Sequence, residues 1–282
     1  MKVETRFDDS YDAADPRRYY AAMESVAYSN AAFSVPIFKA VLDEVMRVRS
    51  LERARVLDLA SGYGVVAALL RHDTTLDEIV ARYTSPGLQA LDDAEMREAD
   101  RKWYGQRRRH GWGLHMLGLD IAGNALAYGR AVGVFDEVYA EDLTEAEPSA
   151  ELRLAVQDCD LIVEAGSIAH LAPTILQRLL GAVDGRKPWI VTAPIRGNDS
   201  EAGLAAMAEA GLDVEAVPVR PFPCRRFVTC EEQDRAMRLV RARGHDPEGY
   251  ESTGSFHGVI YLARPRDEAV TPASAFAEEN LS

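Results

Sequence analysis

The chain has 282 residues, 47% of them apolar and 27% charged, the make-up of a folded chain with a sizeable core and not of a disordered one. Forty-five acidic residues stand against 32 basic ones, a formal net charge of −13. That argues against a general nucleic-acid binder, which needs a positive footprint, and against adhesion to an anionic membrane.

No apolar run is long enough for a transmembrane helix, and Met1 to Asp9 contain no apolar core of the kind a secretory signal carries. Cys159, Cys224 and Cys230 lack CxxC spacing, so neither a metal site nor a disulfide framework is expected, and a reducing cytoplasm fits best.

In chain order, residues 1–50 read as a helical cover. Apolar residues recur at helical spacing from Val35 to Met46, with a break expected near Asn30–Pro36. A main domain follows over 51–265, opening with the short β-type run Ala54 to Ala60, a glycine turn at Ser61-Gly-Tyr-Gly and a helix from Val65 to Arg71. Residues 72–112 interrupt this rhythm. The segment is dense in charge and reads as surface helices inserted into the domain, either a solvated face or a lid or subunit contact.

Strand and helix then alternate: strand Leu114–Asp120, helix Asn124–Val132, strand Glu137–Ala140, strand Cys159–Glu164, helix Pro173–Val183, strand Pro188–Ala193 and helix Glu201–Ala210. A strand from Val214, a helix Glu231–Arg243 and a strand Phe256–Ala263 close the pattern. This order predicts an α/β, Rossmann-like, doubly wound and mostly parallel sheet with an antiparallel edge strand. The tail 266–282 is polar and expected to be loose.

The chemistry concentrates at Asp58-Leu-Ala-Ser-Gly-Tyr-Gly. Gly62, Gly64 and Ala67 satisfy a loose dinucleotide fingerprint. Asp58, however, closes the strand four residues before Gly62, and a carboxylate there would repel a pyrophosphate. A ligand with an ammonium and a cationic sulfur would instead be attracted, while the glycines let the backbone approach it closely. An acid at a strand end is also a common turn or cap residue, and that plain structural role stands beside the functional one for Asp58, Asp120 and Asp142.

Val56-Leu-Asp-Leu-Ala-Ser-Gly-Tyr-Gly, Gly118-Leu-Asp-Ile-Ala, Ala140-Glu-Asp-Leu and Cys159-Asp-Leu-Ile-Val-Glu-Ala-Gly-Ser-Ile-Ala-His-Leu, in this order, make the sequence resemble the class I S-adenosylmethionine-dependent methyltransferases, and within them a bacterial subgroup of unassigned substrate. The resemblance implies S-adenosyl-L-methionine as cofactor. It places Asp58 and the backbone of Ala60, Gly62 and Gly64 by the methionine part, Asp120 and the adjoining Ile121 by the ribose, Asp142 by the adenine amino group, and Glu164 to Ser167 by the sulfonium and the substrate. The family's usual first glycine is Ala60 here.

On the acceptor side, His170 and Glu164 are the candidate bases, and Ser167, Tyr28, Arg225 and Arg226 the candidate substrate contacts. The two arginines are read as part of a Pro-flanked loop able to clamp an acidic acceptor. Methyl transfer to a small molecule, as in natural-product biosynthesis, is the expected reaction. A non-methylating cyclisation or elimination on the same fold, such as sulfate elimination forming an aziridine, is the alternative, alone or as a subunit of such an enzyme. The expected partners are a small-molecule substrate and a second copy or a heteromeric subunit, with neither nucleic acid nor membrane.

Overall fold

A computed structural model describes residues 10–111, 113–168 and 173–278. The N-terminal part forms α1 (Arg17–Ser25) and α2 (Asn30–Arg49). The Rossmann-like part runs β1 (Arg53–Leu59), α3 (Val65–Arg71), α4 (Leu76–Thr84), α5 (Pro86–Gln89), α6 (Asp93–Arg107), β2 (Gly113–Asp120), α7 (Gly123–Ala131), β3 (Glu137–Ala140) and α8 (Ala150–Gln157). It continues with β4 (Leu161–Glu164), α9 (Pro173–Gly181), β5 (Trp189–Thr192), α10 (Glu201–Glu209), β6 (Leu212–Arg226), α11 (Cys230–Ala242), β7 (Ser255–Pro265) and α12 (Ala275–Glu278).

Among the described residues the strands form one seven-stranded sheet in the order β3-β2-β1-β4-β5-β7-β6. Strands β1 to β5 pair in parallel; β7 runs antiparallel to both β5 and β6. This is the doubly wound sheet with an antiparallel pair at its edge that the alternation of elements predicts. The reversed strand β7 lies one place in, and β6 is outermost.

The two faces of the sheet follow from the period-2 alternation of strand side chains. Ala54 and Val56 of β1 join a core layer with Phe38 and Val41 of α2 and Leu70 of α3. Leu57 and Leu59 join the opposite layer with Leu152 of α8, Leu176 of α9 and Met207 of α10. Asp58 falls between Leu57 and Leu59 and so shares the first face.

Four expectations change. The break between the first two helices lies at residues 26–29, and Pro36 sits inside α2. The turn before α2 is tied to β6: Ser29 N–H donates to Cys224 O and Ser29 Oγ to Pro223 O, both at 2.7 Å. Helix α8, not anticipated from the sequence, is capped by Ser149 Oγ, which accepts from Leu152 N–H. Arg225 and Arg226 lie in strand β6 and not in a loop. The tail is packed as far as it is described. Ala273 and Phe276 are buried in the core, and Glu268 accepts from Arg49 at 2.9 Å and from Trp189 Nε1.

The insertion is also anchored. Its ends meet in an antiparallel bridge between His72 and Arg108, and Ile79, Tyr83, Met96 and Tyr104 are core residues. No helix among the described residues is long and apolar enough to cross a membrane.

Candidate functional site

Adjacent strands β2, β1 and β4 carry Asp120, Asp58 and Glu164 at or next to their C-terminal ends. Strand order therefore lines up three acids that lie 62 and 44 residues apart in the chain. The order reverses between β1 and β4, and at such a switch point the two loops that follow the strands leave in opposite directions and open a crevice. A cavity of about 420 Å³ occupies this position, within the ~300–1,000 Å³ range of small-molecule sites. Its floor includes Asp58, Ala60 and Ser61; Ala165, Gly166 and Ser167 form one side; Tyr11, Tyr19 and Tyr28 cover it.

The turn after β1 is built from three left-handed residues, Ala60 (φ 56°), Gly62 (φ 50°) and Gly64 (φ 79°). For Ala60 this conformation costs about 1 kcal/mol, which is the physical reason a glycine suits that position. A Cβ on Gly64 would come within 2.6 Å of the Phe135 ring, so close packing against the neighbouring strand's loop excludes any side chain there.

Asp58 is 3% exposed and accepts one hydrogen bond, from Ala67 N–H at 3.1 Å. Burial, reinforced by the charges of Asp120 and Glu164, pushes its carboxyl well above the usual carboxylate range. Asp120 braces the turn, with Oδ2 accepting from Gly62 N–H at 2.8 Å and Oδ1 from Ala122 N–H at 2.9 Å. Tyr11 Oη lies 3.4 Å from both Asp120 Oδ2 and the Ala60 carbonyl. Tyr11 thus stands over Gly62, where a Cβ would meet its hydroxyl at 3.0 Å. Ile121, 70% exposed, reaches the cavity rim.

Glu164 is buried, and burial raises its pKa. Ser167 Oγ donates to Oε1 at 2.5 Å, joined by the Ser167 N–H, while Thr192 Oγ1 donates to Oε2. Ser167 lines the cavity, with Glu164 behind it. His170 lies outside the described residues.

Asp142 is exposed and away from the cavity. It accepts from the Thr144 hydroxyl at 2.5 Å and the Thr144 N–H at 2.9 Å. These bonds hold its pKa below the usual value, the signature of a turn-capping aspartate.

The expected arginine fork is split by strand alternation. Arg225 is buried against the cavity and Arg226 is exposed. Arg225 is already engaged, bidentate to Glu232 at 2.6 and 3.2 Å and 4.5 Å above the Phe256 ring. Tyr28 lies in the cavity wall as expected.

The sequence reading did not single out Asn30, Ser61 or Asn198, which also line the cavity. Asn30 Oδ1 and Ser61 Oγ are buried without a hydrogen-bond partner among the described residues. Asn30 has the sequence appearance of a helix-start residue, which conceals its position on the site.

No family model matches the chain, and no curated protein matches it. Among solved structures it is similar to a TehB-like SAM-dependent methyltransferase from Corynebacterium glutamicum, with 16% identity, 86% of this chain and 92% of that chain covered, and a TM-score of 0.40. It is similar to the N-methyltransferase NodS from Bradyrhizobium japonicum, with 11% identity, coverage of 82% and 98%, and a TM-score of 0.38. It is likewise similar to the [4+2]-cyclase SpnF, with 12% identity, 80% of each chain covered and a TM-score of 0.40. The Rossmann-like fold assigned above stands on the strand order and register of this chain itself.

Proposed function

We propose that the protein transfers a methyl group from S-adenosylmethionine to a small molecule. The observation that carries this reading is the buried Asp58, which faces a cavity whose one basic lining residue among those described, Arg225, is already paired with Glu232. A desolvated, uncompensated carboxylate favours a cationic ligand. When bound, the donor supplies a methyl already activated on a sulfonium.

The chain's residues then have distinct tasks. Asp58 would hold the ammonium, and the backbone of the Ala60–Gly64 turn would pack against the methionine chain. Tyr19 and Tyr28 exclude water, and the walls hold the acceptor in line, from which most of the acceleration would come. Glu164 is the candidate base: burial raises its pKa and with it the proton affinity of the carboxylate, and Ser167 Oγ connects it to the cavity by a 2.5 Å hydrogen bond. The residues present fit the methionine end of the donor. At the ribose end Asp120 carries the expected carboxylate, but Tyr11 stands beside it and must share it or move. The Tyr11 contact favours the second reading, a non-methylating reaction on the same fold.

Calorimetry with S-adenosylmethionine or its demethylated product tests the proposal. Binding is expected, and Asp58→Asn should weaken it about tenfold or more by removing a charge-assisted bond. Absence of binding to the intact chain would leave the second reading in possession of the site.

A further inference from the structure

Asn30 opens α2 and is 1% exposed. Its Nδ2 donates to the Ala193 carbonyl at 3.2 Å. A carbonyl only accepts, so this contact fixes which end of the amide is nitrogen. Oδ1 is therefore the other end, and it is buried with no hydrogen-bond partner among the described residues. Leaving such an acceptor unsatisfied costs ~1–3 kcal/mol, a cost that a bound N–H or O–H donor removes. The residue is not free to turn away. Ser29 is fixed to β6 by two 2.7 Å hydrogen bonds, and Gly166 packs so closely that a Cβ there would lie 3.1 Å from Asn30 Nδ2.

The same cavity is lined by Met23, Tyr28, Ile195, Cys224 and Phe256, which give it an apolar and aromatic wall. Arg225 has its guanidinium committed to Glu232, so among the described residues no basic side chain lining the cavity remains to neutralise an acid. We propose that Asn30 binds the acceptor, and that the acceptor is a neutral, aromatic or similarly apolar molecule presenting an N–H or O–H to Asn30 Oδ1. This rests on the reading of the cavity as an acceptor site and replaces the acidic acceptor that the two arginines suggested.

Four matched probes test it on the full chain, with affinity followed by calorimetry: indole, 1-methylindole, indole-3-acetate and tryptamine. Indole should bind about tenfold more tightly than 1-methylindole, which has nearly the same shape without the donor. Asn30→Ala should make the two equal, whereas mere loosening of the fold would weaken both alike. Equal binding of the pair to the unaltered protein, preference for indole-3-acetate, a preference for tryptamine that survives Asp58→Asn, or no binding by any probe overturns the proposal. S-adenosylhomocysteine, titrated separately, reports on the donor. If it fails to bind while indole keeps its advantage, the methyl-transfer reading falls and the role of Asn30 stands.

Discussion

At the scale of single residues, Asp58 sets the electrostatics of the site. Its carboxyl is held above the ordinary range first by burial and then by two neighbouring acids. In the ligand-free protein this shifts the balance towards the protonated form. Stability from this group is fully present below the unfolded pKa and is lost as pH rises through the raised folded one. A bound ammonium reverses the preference, so ligand binding should expel a proton. Affinity is therefore expected to climb with pH from the ordinary carboxylate range up to the raised pKa and to level off above it. Calorimetry in two buffers of different ionisation enthalpy measures the proton count. Asp58→Asn should remove both the release and the climb, and proton uptake by the unaltered protein would contradict the assignment.

At the scale of elements, the insertion is held by a buried knot on α6. Asp100, 0% exposed, accepts from Tyr83 Oη at 2.7 Å, from Tyr128 Oη, and from Arg82 at 2.7 and 2.9 Å. Helices α4, α6 and α7 thus share one carboxylate. Asp100→Asn leaves Arg82 without its countercharge and offers one acceptor oxygen where three groups donate, so the folded state should lose about 3 kcal/mol. A chemical denaturation midpoint reads this directly, and a loss below about 1 kcal/mol would mean that packing alone holds the insertion.

The charge density of 72–112 suggested a surface decoration because sequence shows charges but not which of them meet. The apolar residues Ile79, Tyr83 and Met96 were present in the same stretch, and their burial is set by α1 and α7, elements distant in sequence. Strand positions and the three strand-end acids were legible, since period-2 alternation and glycine turns are local signals. The split of Arg225 from Arg226 was hidden behind the prolines, which suggested a loop where β6 continues. Asn30 was hidden for the opposite reason: a polar residue at a helix start needs no further explanation until its partners are known.

At the scale of the whole molecule, the two ends of the sheet are secured by different devices. At the end away from the site, Arg49 pairs with Asp160 at 3.3 Å and with Glu268 at 2.9 Å, which ties α2, β4 and the tail together. At the site end, residues 11–15 form a strap. Asp12 Oδ1 accepts from Asn124 N–H at 2.7 Å at the start of α7, and Tyr63 Oη donates to the carbonyls of Ala13 at 2.7 Å and Asp15 at 3.1 Å. Arg17 then reaches the insertion through the carbonyls of Leu88 and Leu91, and Tyr20 stacks on Tyr83 at 4.4 Å. Strap and α1, through Tyr11, Tyr19 and Met23, therefore line the cavity, and the insertion is tied to α1 without lining the cavity itself.

Asp12→Ala removes the anchor at α7, with a stability cost of about 1 kcal/mol from the lost cap. Because the strap carries Tyr11 over Gly62, the dissociation rate of S-adenosylhomocysteine, followed by stopped flow, should rise several-fold. Glu268→Gln disturbs the opposite end, where Trp189 and Arg49 both rely on that carboxylate, and should lower stability with the dissociation rate unchanged. If both substitutions speed release equally, the effect is general loosening. If Asp12→Ala destabilises without altering release, the strap is a structural tie and Tyr11 is no cover.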